Sequence, residues 1–215
     1  VADKIKPRVR ETAKFLWIVY VGITVVEMIF LRIAGMETFD SICHAFTTMP
    51  TGGFSTKNAS IAHYDNPMIH YIIIFFMFLA GINFSLHFHA MSGSIKTYFR
   101  DTEFLVYFLI IFLVSSIILF SLSYQSNTFS DLTIRESLFG TIAMLTGTGY
   151  ALGDYELWPV FLQMILLTLM FIGGMGGSTT GGMKVIRVLL LVKYAALETR
   201  RMLHSRALLP VKIGK

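Results

Sequence analysis

Charge is scarce in this sequence: Asp, Glu, Lys and Arg make up 14% of its 215 residues, against about 25% in an average soluble domain. Cysteine is scarcer still, since Cys43 stands alone, which excludes an internal disulfide and a cysteine-based metal site. Neither a Ser/His/Asp set nor a paired-carboxylate constellation can be argued from the spacings, so no covalent chemistry is expected. Apolar residues take the place of the missing charge, at 54% of the chain with a mean hydropathy of +0.65. Such values place the protein in a bilayer, where length is counted in spans of about 20 residues. The chain opens VADKIKPRVRETAK, with no initiator methionine and no signal-peptide pattern, and is expected to be a piece of a longer protein.

The net charge of +5 is distributed as topology signals are. Lys4, Lys6, Arg8, Arg10 and Lys14 precede the first apolar stretch, Lys96 and Arg100 lie mid-chain, and Lys184, Arg187, Lys193, Arg200, Arg201, Arg206, Lys212 and Lys215 close the sequence. In a four-crossing arrangement these 15 of the 18 basic residues fall on one side. The positive-inside rule makes that side cytoplasmic, with both ends inside, in a multi-pass protein of a plasma membrane such as the bacterial inner membrane. A nucleic-acid surface would need basic residues interleaved with exposed aromatics, whereas the aromatics here lie in the apolar stretches.

Two segments too short to cross a bilayer each end in glycine followed by an aromatic: FDSICHAFTTMPTGGF (39–54) and IRESLFGTIAMLTGTGY (134–150). Ser41 lies twelve positions before Gly53 and Ser137 twelve before Gly149, while Phe54 matches Tyr150. Pro67 to Gly81 and Pro159 to Gly173 are both fourteen apart. Self-similarity over about 90 residues predicts a duplicated unit. Each unit is expected to hold an outward span (15–34 and 104–124), a half-span helix (37–49 and 131–145) and a return span (68–90 and 158 onward). Because both units begin and end inside, the copies are parallel repeats about the membrane normal. The expected fold is therefore an all-α membrane protein of two helix–pore-helix–filter–helix repeats, potassium-channel-like.

Irregular backbone at membrane depth survives only when packed in protein or lining a watery cavity. Around a pore, glycine lets consecutive carbonyls face one axis and replace a cation's hydration shell. The candidate ligands are the carbonyls of Pro50, Thr51, Gly52 and Gly53, and of Thr146, Gly147, Thr148 and Gly149. An ordinary extracellular turn is the alternative, disfavoured because the pattern occurs twice at matched spacing. The last return span is interrupted by GGMGGSTTGG, containing Gly173, Gly174, Gly176, Gly177, Ser178, Thr179, Thr180, Gly181 and Gly182. This stretch resembles a phosphate-binding P-loop only superficially, because the required Gly-Lys-Ser/Thr ending is missing and no strand precedes it. Lys184 and Arg187 follow it, either as topology anchors, the favoured role, or as charges acting on a permeation path. His87 and His89, two apart on a helix, point to different faces and do not make a zinc pair. Glu27 inside a span is costly and so a functional suspect. A polytopic membrane enzyme using His87, His89 and Glu27 is the rival.

HAFTTMPTGGFSTKNASI, GINFSLHF and GGMGGSTTGGMKVIRVLLL together resemble the Trk/Ktr/HKT superfamily of potassium transporters, over essentially the whole chain. The resemblance implies four such units around one pore, each giving a filter strand with one characteristic glycine, here Gly53 and Gly149. It divides the chain into a second unit (1–92), a cytosolic linker (93–103), a third unit (104–198) and a basic cytosolic tail (199–215). It further implies K+ as the transported ion, an intramembrane gate at 173–182 and no bound cofactor. Its implied partners are the other two pore units of the same protein, a homodimer mate, a cytosolic nucleotide-binding regulatory subunit of the TrkA type and the lipid bilayer, with no nucleic acid.

Overall fold

In the computed structural model, which describes residues 5–91, 93–126 and 128–203, nine α-helices follow one another and no strand occurs among the described residues beyond one isolated bridge. In the first unit, α1 (Ile5–Ile33) crosses to α2 (Thr38–Thr48), α3 (Pro67–Ala80) returns, and α4 (Phe84–Met91) leads to the short α5 (Lys96–Arg100). The second unit repeats the scheme with α6 (Thr102–Ser126), α7 (Asp131–Thr146), α8 (Val160–Phe171) and α9 (Val185–Leu203). The positions after Leu203, with most of the basic tail, lie outside the described residues.

Residues 13–33 of α1 and 102–125 of α6 are long and apolar enough to span a bilayer unaided. Much of α6 faces outward with Phe108, Phe112 and Phe120 half or more exposed, as a helix apolar all round does in lipid or against neighbouring spans. The half-span helices are short for a structural reason. After α1, Gly35 takes a φ of 99° and turns the chain, and α2 then runs for only 11 residues, about 16 Å at the helical rise. Ser130 caps α7 by accepting a hydrogen bond from the Thr133 amide, and Asp131 stands in its first turn, where a carboxylate suits the helix dipole. Asn66 and Pro67 start α3 in the same way, the Asn66 side chain accepting from the Met68 amide.

One expectation needs correction. The return span of the first unit, expected to run unbroken over 68–90, is bent by 102° between α3 and α4. Gly81 permits the bend, and Asn83 restarts the helix by accepting from the Ser85 amide at 2.8 Å. The groups released by the break are taken up by the glycine-rich stretch of the second unit: the Gly81 carbonyl accepts from the Met175 amide at 2.9 Å, and the Phe84 amide donates to the Gly177 carbonyl at 3.2 Å. Both return spans are therefore broken, at positions that match in the repeat.

A shared core joins the units, with Ile69, Ile73 and Met77 of α3 packed in one cluster with Phe139, Ile142 and Leu145 of α7. A polar clamp reinforces it. The buried Arg135 guanidinium donates to His70 Nδ1 at 2.7 Å and to Asp131 at 2.7 Å, and the Tyr71 hydroxyl donates to the same aspartate at 2.6 Å. His70 Nε2 is 2.6 Å from the Tyr64 carbonyl, so His70 is neutral, with its proton on Nε2 and Nδ1 left to accept from Arg135.

A Cβ at position 81 would stand 2.0 Å from the Tyr107 hydroxyl and 2.7 Å from its ring carbon, and Tyr107 is fully buried. Gly81→Ala is expected to destabilise the fold by about 1–3 kcal/mol, the usual cost of overpacking a tight core, read as a lowered aggregation temperature of the detergent-solubilised protein.

Candidate functional site

The two glycine turns have the same backbone at matched positions. The Thr51 amide donates to the Thr48 carbonyl at 2.9 Å and the Gly147 amide to the Met144 carbonyl at 3.2 Å. Two residues on, the Gly53 amide donates to the Thr47 carbonyl at 3.2 Å and the Gly149 amide to the Ala143 carbonyl at 3.1 Å. Left-handed φ values coincide as well: 56° at Thr51 and 71° at Gly147, 66° at Gly53 and 76° at Gly149. The matched serines play one part, Ser41 donating to the Glu37 carbonyl at 2.8 Å and Ser137 to the Thr133 carbonyl at 2.7 Å. A left-handed threonine at position 51 is uncommon backbone, of the kind that tight functional sites hold in place.

The amides of both turns thus point back into the half-span helices. Among the described residues, no hydrogen bond ends on the carbonyls of Thr51, Gly52, Gly53, Gly147, Thr148 or Gly149. The Pro50 carbonyl differs, accepting from the Thr51 hydroxyl at 2.7 Å. It keeps a second lone pair. Thr146 is the last residue of α7. Both α2 and α7 end at these turns, so the negative ends of two helix dipoles meet there. Oriented carbonyls backed by helix C-termini make a cradle for a cation with its water removed.

The turns also meet each other. A Cβ on Gly53 would lie 1.7 Å from the Thr148 carbonyl oxygen and 2.8 Å from its carbon, so the two strands run against one another with no room for a side chain. Tyr150 fastens them. Fully buried, its hydroxyl lies 2.6 Å from Thr47 Oγ1 and 3.3 Å from Thr48 Oγ1, both at the end of α2. Thr47 Oγ1 in turn donates to the Phe54 carbonyl at 2.8 Å. Phe54, the counterpart of Tyr150, is 76% exposed.

The glycine-rich stretch lies directly against the first turn. Its mouth is closed by Gly173 and Met183, whose bonds (Gly173 amide to Met183 carbonyl, 2.9 Å; Met183 amide to Phe171 carbonyl, 3.1 Å) draw the ends of α8 and α9 together. Gly174 donates to Thr180 Oγ1 at 2.9 Å. Thr179 Oγ1 donates to the Met49 carbonyl at 2.7 Å, and Thr51 Oγ1 reaches the Thr179 carbonyl at 3.3 Å. Ser178 Oγ lies 2.8 Å from Thr180 Oγ1, while Gly176, Gly177, Gly181 and Gly182 carry the surrounding bends, two of them at positive φ. The Lys184 ammonium turns into the loop and bonds to the Thr180 carbonyl, to Thr180 Oγ1 at 3.0 Å and to Ser178 Oγ at 3.4 Å. Arg187 is exposed.

Glu103, at the start of α6, was not legible as part of the site. One carboxylate oxygen accepts from the Gly176 amide at 2.8 Å and from the Ile186 amide at 2.9 Å, pinning the loop and the first turn of α9 to the outward span of their own unit. Its sequence signal is slight, an acidic residue close to Lys96 and Arg100 at the head of a span. The rival enzyme cluster does not assemble. His87 is buried and bonded to the Tyr98 hydroxyl at 2.7 Å and the Leu79 carbonyl at 3.0 Å, His89 is exposed, and Glu27 lies on α1 without either as a hydrogen-bond partner. Among the described residues no group of three or more His, Cys, Asp or Glu could hold a metal ion.

Comparison with known proteins follows this geometry. The family model described as "TrkH: Cation transport protein" matches residues 1–215. The Trk system potassium uptake protein TrkH of Escherichia coli strain K12 is 42% identical over 217 residues, covering 99% of this chain and 44% of that protein. TrkG of the same strain is 38% identical over 99% of this chain and 44% of its own length. The crystal structure of the potassium transporter TrkH from Vibrio parahaemolyticus superposes with a TM-score of 0.91 at 38% identity, covering 97% of this chain and 45% of that one. The chain thus spans somewhat less than half the length of these relatives.

Asp40, at the start of α2 and outside the spanning helices, ties down the loop that follows the first turn. It accepts from Thr56 at 2.7 Å and Tyr64 at 2.9 Å and pairs with Lys57 at 3.1 Å. Burial alone would raise its pKa, but the three donors outweigh burial and hold the carboxyl at about 2. Its stabilisation is present above the ordinary aspartate range and lost as pH falls through about 2. Proteolytic protection of the loop at 54–66 should therefore persist to below pH about 4 and fail near 2, and Asp40→Asn should show weaker protection at neutral pH with no such acid transition.

Proposed function

The chain belongs to the TrkH family of cation transport proteins, and from that premise we propose that it supplies two of the walls of a potassium pathway through a membrane. The observation that carries this is the meeting of two glycine turns with matching hydrogen bonds and φ values, whose carbonyls, Pro50 apart, accept no hydrogen bond among the described residues. Potassium holds its hydration shell less strongly than sodium, so a ring of carbonyls replaces its water more readily. Pro50, Thr51, Gly52, Gly53, Thr146, Gly147, Thr148 and Gly149 are the proposed ligand positions, with the Pro50 carbonyl the least available.

Two walls do not close a ring. The other two pore units come from the rest of the longer protein, by the resemblance and by the share of each relative that this chain covers. The exposed Phe54 supports this: Tyr150 packs behind the half-span helix of the neighbouring unit, and Phe54 awaits the equivalent place in a unit beyond this chain. A homodimer, a nucleotide-binding regulator of the TrkA type and the bacterial inner membrane, with both ends of this piece cytoplasmic, belong to the same proposal. The domain division stands with it: units at 1–92 and 104–198, a linker at 93–103 and a basic tail at 199–215.

Residues 173–182 form the gate in this reading, supported by Thr179, which holds the loop to the carbonyl just before Pro50. A side chain here closes the path by contact and opens it by letting go. Glu103 and Lys184 hold the closed arrangement from the other side.

Two measurements test the filter and the gate separately in the full-length protein. Gly53→Ser and Gly149→Ser are expected to lower the preference for potassium over sodium in rubidium-uptake competition, and an unchanged preference would remove the filter assignment. Glu103→Ala removes an acceptor shared by two amides. The loss of one hydrogen bond to a charged group, about 1.5 kcal/mol, is expected to raise rubidium flux up to about tenfold with the selectivity kept, and lower flux in a well-folded variant would speak against a gate.

A further inference from the structure

Glu27 lies fully buried on α1, and neither carboxyl oxygen completes a hydrogen bond. It enters no ion pair among the described residues. Its polar surroundings are specific. Thr48, at the end of α2, lies against the carboxyl, and the ionisable groups that act on or feel it are Tyr20 of the same helix and Tyr150 behind the second turn. Thr24 sits one turn earlier on α1, buried as well.

The threonine hydroxyl protons in this pocket are already committed. Thr48 Oγ1 donates to the His44 carbonyl at 2.8 Å, and Thr24 Oγ1 donates to the Tyr20 carbonyl at 2.8 Å. Each hydroxyl has one proton, so toward Glu27 both present lone pairs only. An ionised carboxylate is acceptor-only and would face these lone pairs while fully buried, at a heavy cost of desolvation. A carboxylic acid has one O–H to give.

We infer that Glu27 is a positioning residue of the filter: it keeps its proton and, with a small rotation of the carboxyl, donates it to Thr48 Oγ1 beside it, bracing the end of α2 from which the first turn hangs. The inference rests on the potassium-pathway reading for its functional consequence, though not for the state of the carboxyl. From Thr48 the contacts run to the Tyr150 hydroxyl at 3.3 Å, on to Thr47 Oγ1 at 2.6 Å and to the Phe54 carbonyl at 2.8 Å. The Thr47 carbonyl in turn receives the Gly52 and Gly53 amides at 2.7 and 3.2 Å. One neutral carboxyl thus supports both turns, through a chain of hydroxyls.

The test uses the full-length transporter. Glu27→Gln, neutral and able to donate from its amide, is expected to keep the wild-type preference for potassium over sodium in rubidium-uptake competition, unchanged between pH 6 and 8. Glu27→Leu, of similar size without a donor, is expected to lower that preference about tenfold, the size of one hydrogen bond to a buried group, while cation flux persists. Thr48→Val should behave as Glu27→Leu does. If Glu27→Gln fails as badly as Glu27→Leu, the charge is needed and the inference falls; it falls equally if Glu27→Leu keeps full discrimination. Infrared spectroscopy gives a second readout that needs no transport: the wild type should show a protonated-carboxyl C=O band that Glu27→Gln lacks, and its absence from the wild type overturns the inference. A wild type that carries no rubidium would instead remove the potassium reading, leaving the infrared result to decide the proton.

Discussion

Every unusual feature of this chain answers one constraint: backbone that leaves the helix at membrane depth must find partners inside the protein, since lipid supplies none. The chain meets it asymmetrically. In both glycine turns the amides are returned to the ends of α2 and α7, and the turn carbonyls, Pro50 apart, are left without donors among the described residues. An amide paired inward and a carbonyl left outward is a polarised wall. The ends of the two half-span helices add negative potential at the same place, so a cation is the ligand that this wall suits, and an anion is repelled by it.

The same constraint explains why the broken helices are packed against each other. Breaking α3 at Gly81 releases a carbonyl and an amide, and breaking the last span releases several more. They satisfy one another across the units through Gly81 with Met175 and Phe84 with Gly177. Neither break would be tolerable alone. The arrangement also ties the loop to two elements of the first unit at once, the bend of α3 and the end of α2 through Thr179. Movement of the loop therefore cannot be local. It would require new partners for groups on both units at once.

Much of this was legible in the sequence because the repeat is legible. Ser41 and Ser137, Gly53 and Gly149, and Gly81 and Gly173 were paired by spacing, and the first two pairs have matching hydrogen bonds or φ values. Spacing could not show the 102° bend at Gly81, because the residues from 68 to 90 are apolar enough for one continuous span and the partner that makes the break tolerable lies some 90 residues on in the sequence. The contacts of Lys184 were hidden for a related cause. A lysine at the end of an apolar stretch is usually an interface anchor, and only folding the loop back on itself places Thr180 and Ser178 within reach of its ammonium. Glu103 was overlooked because its role depends on amides of a segment more than 70 residues away.

The two units are alike in backbone and unlike in what surrounds them. Tyr150 is enclosed by the half-span helix of the first unit, whereas Phe54 stands 76% exposed at the equivalent position. A hydroxyl on the first of these aromatics lets it bond to Thr47 and Thr48 and so couple the second turn to the first. Phenylalanine can make no such bond, and its ring can be held only by apolar packing. The joint between the two units of this chain is therefore polar and directional, while Phe54 presents only an apolar ring at the matching place.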